Sequence, residues 1–277
     1  MADSSPDTQT AAAFAESWNR LPQGSAYTRA QFLDWFAPVD PESIRGKNVL
    51  ELGFGNGSFL YHMASFRQAR LVGVELGETL DAARRNLKDV DTPVELHRGD
   101  LTRIDLGEFD LVYCIGVLHH LKDPEAGFAS VLRHTRAGGR FHGWVYAREG
   151  NAVVRYLVDP IRRVSSKLPW WMTKYVFALP LVVPYFVYAK FLRRLEGAGV
   201  SARFLPLHDY SIWIAERDFS FFHHVAFDQL VTPTTFYFTR AHVEAWLSDP
   251  AVDPGSRYLV FRNRNSWKFG GVKRATA

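Results

Sequence analysis

The sequence predicts a doubly wound α/β fold: a mostly parallel, seven-stranded sheet with a helical lid inserted after the fifth strand. Three observations support this prediction. Short apolar runs alternate with amphipathic stretches from residue 47 to residue 147, the alternation stops over 148–232, and it resumes over 233–277. Strands that alternate with helices form parallel sheets with right-handed crossovers. The interrupting segment is rich in Trp, Phe, Tyr, Pro and Arg, and we expect it to lie outside the sheet.

The predicted elements follow one another in a regular order. The apolar run KNVLEL at 47–52 is typical of a buried parallel strand. The other predicted strands are 70–75, 94–98, 109–115, 139–146, 257–262 and, returning antiparallel, 267–272. The predicted helices are pieces within 14–38, then 58–66, 80–87, 124–135 and 239–247, with Thr239 as the N-cap of the last.

The same pattern divides the chain into four parts. These are an N-terminal helical segment (1–46), a cofactor-binding α/β core (47–147), an aromatic-rich helical lid that holds the acceptor (148–232), and a returning helix with the C-terminal strands (233–277).

Composition places the chain among ordinary globular proteins. Its 277 residues are 47% hydrophobic, and the formal net charge is +4. The single cysteine, Cys114, excludes an intramolecular disulfide, so nothing requires an oxidising compartment.

The first residues do not have the basic start and apolar run of a secretory signal, and we expect a cytoplasmic protein. Lys and Arg are mostly scattered rather than gathered into a dense basic face, so a nucleic-acid partner is not expected. The oligomeric state stays open.

The most apolar stretch is 175–192, and Pro180, Pro184 and Lys190 interrupt it. A membrane-spanning helix needs ~20 largely apolar residues, and proline is disfavoured in helix interiors. We therefore expect two short helices that cover a pocket or touch a membrane surface peripherally, and not a membrane span.

A glycine-rich turn, ELGFGNG at 51–57, lies directly between the first predicted strand and a helix. Glycines at 53, 55 and 57 allow a tight turn and a close approach of backbone to a ligand, and the helix N-terminus offers free N–H groups to an anion. The dinucleotide fingerprint would need a glycine at position 58, where this chain has Ser58. NAD binding is therefore the weaker interpretation.

Acidic residues end the next two strands. Glu75 lies ~20 residues beyond the turn, where an acid meets ribose hydroxyls in this architecture. Asp100 follows Gly99, and its carboxylate can accept a hydrogen bond from an exocyclic adenine amine. Asp110 opens the fourth strand, so we expect it to be structural. Glu75 and Asp100 lie at the carboxyl ends of strands, where open α/β sheets bind their ligands.

Taken together, VLELGFGNG, VELG, RGDL, FDLVYCIGVLHHLKDP and RAGGRFHGWVYA resemble a class I S-adenosylmethionine-dependent methyltransferase of the type 11 methyltransferase-domain group, whose sheet is Rossmann-like. The resemblance covers 47–147 and implies S-adenosylmethionine as cofactor and S-adenosylhomocysteine as product. It also implies roles for individual residues. The methionine end of the cofactor would lie against Glu51, Gly53, Gly55 and Gly57, and its amino group would lie at Ile115 and Gly116. The ribose would bind to Glu75, and the adenine would bind to Asp100 and the Leu101 backbone.

The same motifs exclude several relatives. Amino-methyltransferases carry Asn or Asp followed by Pro-Pro-aromatic after the fourth strand, where this chain has IGVL at 115–118. Cytosine-C5 enzymes need a Pro-Cys nucleophile, whereas Cys114 follows Tyr113 inside the strand and is expected in the core. No acidic cluster suited to a metal follows that strand, and the adjacent His119 and His120 do not share a helix face. We therefore expect no metal.

The predicted reaction is O- or N-methylation of a small-molecule acceptor. Methyl transfer is an in-line displacement, and catalysis consists largely of positioning the acceptor in line with the methyl group. A general base is needed only when the acceptor carries a proton of high pKa. We assign that base to His119, supported by His224 and Asp228, whose i,i+4 spacing puts them on one helix face. Two alternatives stay open: methylation of tRNA or another macromolecule, and a protein of this fold without methyl transfer.

Overall fold

The computed structural model describes residues 6–19 and 26–275, and these contain one seven-stranded sheet. The first residues, on which the absence of a secretory signal partly depends, lie outside the described part. The strands are β1 (Asn48–Leu52), β2 (Arg70–Glu75), β3 (Val94–Arg98), β4 (Phe109–Ile115), β5 (Thr135–Tyr146), β6 (Tyr258–Arg262) and β7 (Ser266–Val272).

The spatial order of the strands is β3-β2-β1-β4-β5-β7-β6. Strands β1 to β5 pair in parallel, and β7 runs antiparallel between β5 and β6. The strand order reverses between β1 and β4, which are neighbours in the sheet. This position is the switch point, and open α/β sheets bind their ligands there. The predicted fold class is confirmed.

Helices cover both faces of this sheet. They are α1 (Pro6–Trp18), α2 (Arg29–Phe36), α3 (Ser58–Met63), α4 (Leu80–Asn86), α5 (Pro124–His134), α6 (Asp159–Ser165), α7 (Trp170–Met172), α8 (Leu179–Gly197), α9 (His208–Ile214), α10 (Phe219–Val231) and α11 (Arg240–Leu247). Thr239 caps α11 as predicted, because its side chain accepts a hydrogen bond from the amide of His242.

Side chains alternate across each strand, so neighbouring residues of β1 enter different cores. Leu50 and Leu52 pack in a cluster with α5 and α11, whereas Val49 packs on the other side with α2 and α3. Cys114 is fully buried within β4, as expected. Asp110 accepts hydrogen bonds from the amide of Asn48 at 2.8 Å and from Arg136 Nε at 2.7 Å. It therefore ties β4 to its two neighbours, which is a structural role.

The apolar stretch corrects the expectation of two short helices. A π-helical turn, Thr173–Ala178, joins α7 to α8, and the helix runs without a break over Trp170–Gly197. Pro180 falls in the first turn of α8, and Pro184 lies inside it. Both prolines are exposed, and the π turn Thr173–Ala178 before Pro180 has a wider backbone than an α-helix, which relieves the crowding that proline causes.

This segment, called the long helix below, is the one helix among the described residues that could cross a membrane by length and composition alone. Its most apolar stretch of 18 residues has a mean hydropathy of 1.6. Core helices of soluble proteins can be as long and as apolar, but they are mostly buried, whereas 22% of this stretch is buried.

A buried histidine on β5 predicts acid sensitivity. His142 Nε2 donates to the Trp35 carbonyl at 2.9 Å, its Nδ1 accepts from Tyr258 Oη at 2.7 Å, and burial lowers the pKa of His142 to about 4. An unfolded histidine has a pKa of about 6.5, so the unfolded chain binds the extra proton as the pH falls from about 6.5 to about 4. Stability therefore falls across that window.

We expect His142→Gln to reduce the acid-induced fall in the free energy of unfolding by about 3 kcal/mol, because each unit of pKa difference contributes ~1.36 kcal/mol. Urea unfolding between neutral pH and pH ~4 measures the slope. His97→Gln is the matched control because the His97 side chain is 38% exposed, and it should keep the wild-type slope. Equal slopes in all three proteins would show that His142 does not cause the acid sensitivity.

Candidate active site

The carboxyl ends of the parallel strands open into a cavity of about 440 Å³. The sheet forms its floor, α1 forms one wall, and the helices that follow β5 cover it. Eight of the nine residues predicted to bind the cofactor line this cavity: Glu51, Gly53, Gly55, Glu75, Asp100, Leu101, Ile115 and Gly116. The ninth, Gly57, adopts a positive φ of 81° directly before α3, where an added Cβ would meet Leu87 at 3.2 Å. Gly57 therefore shapes the turn rather than the wall.

The glycine turn is held against β2 and β4. Gly53 donates its amide to the Val74 carbonyl at 2.8 Å. With φ at +84°, an added Cβ would lie 2.3 Å from Val117 Cγ2, so only glycine fits here. A Cβ at Gly55 would instead meet Trp18 Cδ2 of α1 at 3.9 Å, which is an ordinary contact. Space for a ligand therefore lies beside Gly55.

The Glu75 carboxylate joins two loops. Its Oε2 accepts from the Gly55 amide at 2.9 Å and its Oε1 accepts from the Gly77 amide at 2.8 Å. Burial raises the pKa of Glu75, although these backbone hydrogen bonds oppose the rise. The carboxylate is thereby fixed in the cavity wall at the end of β2.

A second buried acid lies at the end of β1. Glu51 is 1% exposed, and Tyr113 Oη donates to its Oε2 at 2.8 Å. Burial raises the pKa of Glu51 to about 8, and the nearby charge of Glu75 acts in the same direction. The partner of this carboxyl is a phenol rather than a cation, so a positively charged ligand beside it would stabilise the ionised form.

The remaining predicted residues lie where β3 and β4 end. Asp100 Oδ1 accepts from the amide of Thr102 at 2.8 Å and from its hydroxyl at 2.7 Å. These bonds fix the carboxylate at the cavity wall beside Leu101. Gly116 has φ +81° and donates its amide to the Trp144 carbonyl at 3.2 Å, which turns the chain away from the cavity floor after Ile115.

Comparisons with known proteins agree with this geometry. The family model of the type 11 methyltransferase domain matches residues 50–142. Residues 50–142 are thus similar in sequence to a methyltransferase domain. The resemblance to class I S-adenosylmethionine-dependent methyltransferases is thereby confirmed.

The curated relatives match less than half of this chain. An uncharacterised protein of Synechococcus sp. is 32% identical over 126 residues, which are 43% of this chain and 30% of that protein. A ubiquinone biosynthesis O-methyltransferase of Aromatoleum aromaticum is 33% identical over 113 residues, which are 39% of this chain and 47% of that enzyme. The chain thus spans less than half the length of these two relatives.

One solved structure supports the fold beyond the methyltransferase domain. An O-methyltransferase family protein from Burkholderia thailandensis has a TM-score of 0.53 and 13% sequence identity, and the match covers 90% of this chain and 56% of that one. At this identity the likeness shows the fold alone.

The structure places His120, rather than His119, in the cavity wall. Both residues lie on the 3₁₀ turn Leu118–His120. The His119 side chain is fully buried, with its ring 4.0 Å from that of Tyr146, whereas His120 lines the cavity. Burial lowers the pKa of His119 well below its usual range. The predicted base therefore lies behind the wall, and its neighbour faces the cavity.

The pair predicted on α10 is present. His224 Nε2 lies 3.2 Å from Asp228 Oδ2, and the Asp228 side chain lines the cavity. The His224 ring packs edge-on against Trp18 of α1 at 5.4 Å. The pair therefore joins α10 to the N-terminal helix, and of its two members Asp228 lies in the wall.

Sequence reasoning missed two parts of the wall. The first is α1, whose Phe14 and Trp18 lie over the cavity. The second is a polar group formed by Tyr146, Arg162 and Gln229. Tyr146 ends β5, so the rule that singled out Glu75 and Asp100 could have found it as well. Arg162 and Gln229 come from the lid, where no regular strand order points to a site.

Proposed function

We propose that this protein is an S-adenosylmethionine-dependent methyltransferase that acts on a small-molecule acceptor with a largely apolar body, at an oxygen or nitrogen atom. One observation carries the proposal. A single cavity continues from Asp100 and Glu75, at the predicted cofactor end, to the polar group Tyr146, Arg162 and Gln229 under the lid. A bound cofactor and a bound acceptor would therefore face each other in one enclosed space.

The cofactor end suits S-adenosylmethionine chemically. When bound, this cofactor supplies a methyl group on a sulfonium for in-line displacement. Glu75 would hold the ribose, Asp100 and the Leu101 backbone the adenine, and Glu51, Gly53, Gly55, Ile115 and Gly116 the methionine end. The buried Glu51 carboxyl is matched to a cationic amino group, because its own partner is the neutral Tyr113 phenol.

We expect Glu75→Gln to weaken binding of S-adenosylhomocysteine roughly 10- to 100-fold, because one charged acceptor of hydroxyl hydrogen bonds is lost, about 1.5–3 kcal/mol. Titration calorimetry measures the affinity. The matched control is Glu78→Gln, since the Glu78 side chain is 77% exposed and pairs with Arg98 at 3.0 Å. If the Glu75 and Glu78 variants bind as tightly as wild type, Glu75 does not hold the ribose.

The acceptor end combines apolar walls with a fixed polar group. Its apolar side chains include Leu157, Leu181, Tyr185, Phe221, Phe222 and Val225. Arg162 is 5% exposed, its charge is paired with Asp159 at 2.7 Å, and its Nη2 donates to Gln229 Oε1 at 2.8 Å. Gln229 Nε2 in turn donates to Tyr146 Oη. Such a site favours an acceptor that buries an apolar body and presents one polar group.

Enclosure favours a small acceptor over a macromolecule. The lid helices lie over the strand ends, and the wall is mostly apolar rather than a groove of basic residues. A nucleic-acid substrate would need a basic path across the surface. In this proposal residues 148–232 are the acceptor lid and 47–147 the cofactor core.

His120 is the base that the geometry favours. Its Nδ1 donates to the Thr234 carbonyl at 2.8 Å, which leaves Nε2 as the nitrogen that can accept a proton. Burial lowers the pKa of His120 to about 4, and the charge of Asp228 opposes this shift. The ring is therefore neutral at pH 7 and can accept a proton from an acceptor hydroxyl or amine. Asp228, which is paired with His224, lies in the same cavity wall and is the supporting charge.

A direct assay tests the proposed function. Purified protein is incubated with S-adenosylmethionine carrying a labelled methyl group and a panel of apolar phenols, carboxylic acids and amines, and label is counted after organic extraction. We expect transfer to at least one class and no transfer by Gly55→Val, a variant whose cofactor site is blocked. If wild type binds S-adenosylhomocysteine but the same panel and total tRNA both stay unlabelled, the proposed small-molecule activity fails. Labelling of tRNA alone would favour the macromolecular alternative.

A further inference from the structure

The long helix has an apolar face turned outward. Six of its apolar side chains are between 47% and 63% exposed: Trp171, Tyr175, Val176, Val183, Val187 and Phe191. We call these six residues the outer face. Val183, Val187 and Phe191 follow one another at i,i+4 spacing, which sets them in one row along the helix. From Trp171 to Phe191 the outer face extends ~30 Å at ~1.5 Å per residue.

The opposite face of the long helix packs on the protein. Val182, Ala189 and Leu192 are buried, and the first two pack in one cluster with side chains of α9 and α10. A helix that buries one side on its own domain and exposes apolar side chains on the other is suited to lie along an interface, with its axis parallel to it. A helix that crosses a bilayer alone would be apolar all round.

The segment that carries the outer face has an excess of basic residues. Residues 148–199 contain nine Lys and Arg against three Asp and Glu, whereas the whole chain contains 33 against 29. The exposed side chains Arg163 and Lys167 precede the long helix, and Arg194 follows the row at its other end. Basic residues that flank an exposed apolar face are attracted to anionic lipid headgroups.

The mouth of the cavity belongs to the same region. Val153 and Leu157 are 38% and 53% exposed, and both line the cavity. Leu181 of the long helix lines the cavity as well and packs in one cluster with Val158. Exposed apolar side chains of the same basic segment therefore line the apolar cavity where it opens.

We propose that this protein docks on the surface of an anionic lipid bilayer, with the outer face of the long helix lying in the headgroup region and Arg163, Lys167 and Arg194 on the lipid phosphates. The exposed Trp171 and Tyr175 suit this depth because aromatic side chains with a polar atom favour the membrane–water interface. Docking brings Val153 and Leu157 to the lipid, so an amphipathic acceptor can pass from the bilayer into the cavity. That last step alone rests on the proposed function.

Vesicle flotation tests the docking. Wild type is mixed with vesicles of phosphatidylcholine alone or with about one third phosphatidylglycerol. We expect flotation with the anionic vesicles, a strong decrease with the neutral ones, and release at high salt. The double variant Val187→Asp with Phe191→Asp should lower partitioning roughly 10-fold or more. Tyr61→Asp is the matched control, because Tyr61 is 40% exposed and belongs to α3 rather than to the long helix, and it should float like wild type.

A second variant covers the case in which the double variant misfolds. Lys167→Glu with Arg194→Glu leaves the apolar row intact and should also abolish the preference for anionic vesicles. Calorimetry with S-adenosylhomocysteine on the same variants measures binding at the cofactor site, which should be unaffected. Loss of docking and failure of the proposed function are therefore distinguishable.

Three results would overturn the proposal. The first is wild type that does not float with anionic vesicles, and the second is membrane association that resists alkaline carbonate, as a spanning helix does. The third is a wild-type dimer in sedimentation velocity that becomes a monomer in the double variant Val187→Asp with Phe191→Asp.

Discussion

Gly55→Val should lower the affinity for S-adenosylhomocysteine roughly 100-fold or more, about 2.7 kcal/mol, and should abolish methyl transfer. Gly55 lies in the turn after β1 with φ +56°. A Cβ there would touch Trp18 Cδ2 at 3.9 Å and is not crowded by the protein. The branched side chain of valine would therefore occupy the space between the turn and α1, and the loss of binding comes from the ligand's volume.

The control variant, Gly46→Val, separates the effect of side-chain volume in the cavity from the effect of backbone strain. Gly46 also has a positive φ, +70°, but an added Cβ there has no neighbour within 4 Å. Gly46→Val therefore carries a similar strain, of order 1–2 kcal/mol, without entering the cavity. We expect both variants to lose some thermal stability and Gly55→Val alone to lose affinity. Equal affinity in the two variants would mean that the cofactor does not pass beside Gly55.

His120→Ala should lower kcat ~10²-fold or more while the affinity for S-adenosylhomocysteine stays near the wild-type value. The measurement uses an acceptor identified by the labelling screen. His120 Nε2 must be unprotonated to accept a proton, and the pKa of His120 is lowered to about 4. The wild-type rate should therefore stay constant from neutral pH to about pH 5 and fall as the pH approaches 4, and His120→Gln should lose that fall.

His119→Ala is the matched comparison. His119 is fully buried against Tyr146, so its removal leaves a small cavity and is expected to lower stability by about 1–3 kcal/mol, with a smaller effect on kcat. If His119→Ala slows the reaction as much as His120→Ala at unchanged stability, the base assigned from the sequence is the better one. If neither variant slows it at any pH, the site works by positioning alone.

Three strands were predicted from the sequence to the residue, whereas β5 begins at Thr135, before its predicted start at 139. The predicted strands 70–75, 94–98 and 109–115 coincide with β2, β3 and β4. The central strands β2 and β4 are mostly buried and are short apolar runs, and the carboxyl ends of the strands carry the polar groups that meet a ligand. These are local requirements, so the positions of Glu51, Glu75 and Asp100 at the cavity could be predicted from the sequence.

Other features depended on the tertiary structure because they arise from contacts between distant segments. Whether His119 or His120 faces the cavity depends on how the 3₁₀ turn Leu118–His120 sits between α1 and β5, since adjacent residues on such a turn point in different directions. The sequence pattern of α1 does not reveal that it covers the site, which follows from its packing on α10.

The long helix shows the same division between local pattern and packing. Pro180 and Pro184 predict a break, because each removes a backbone hydrogen bond. The helix is continuous nevertheless, with the π turn Thr173–Ala178 before the prolines and with Val182 and Ala189 packed on α9 and α10. Sequence alone therefore determined the sheet, the glycine turn and the chemistry of the strand ends. Only the tertiary structure decided which side chains enclose the acceptor and which apolar face stays exposed, because burial is a property of the packed chain.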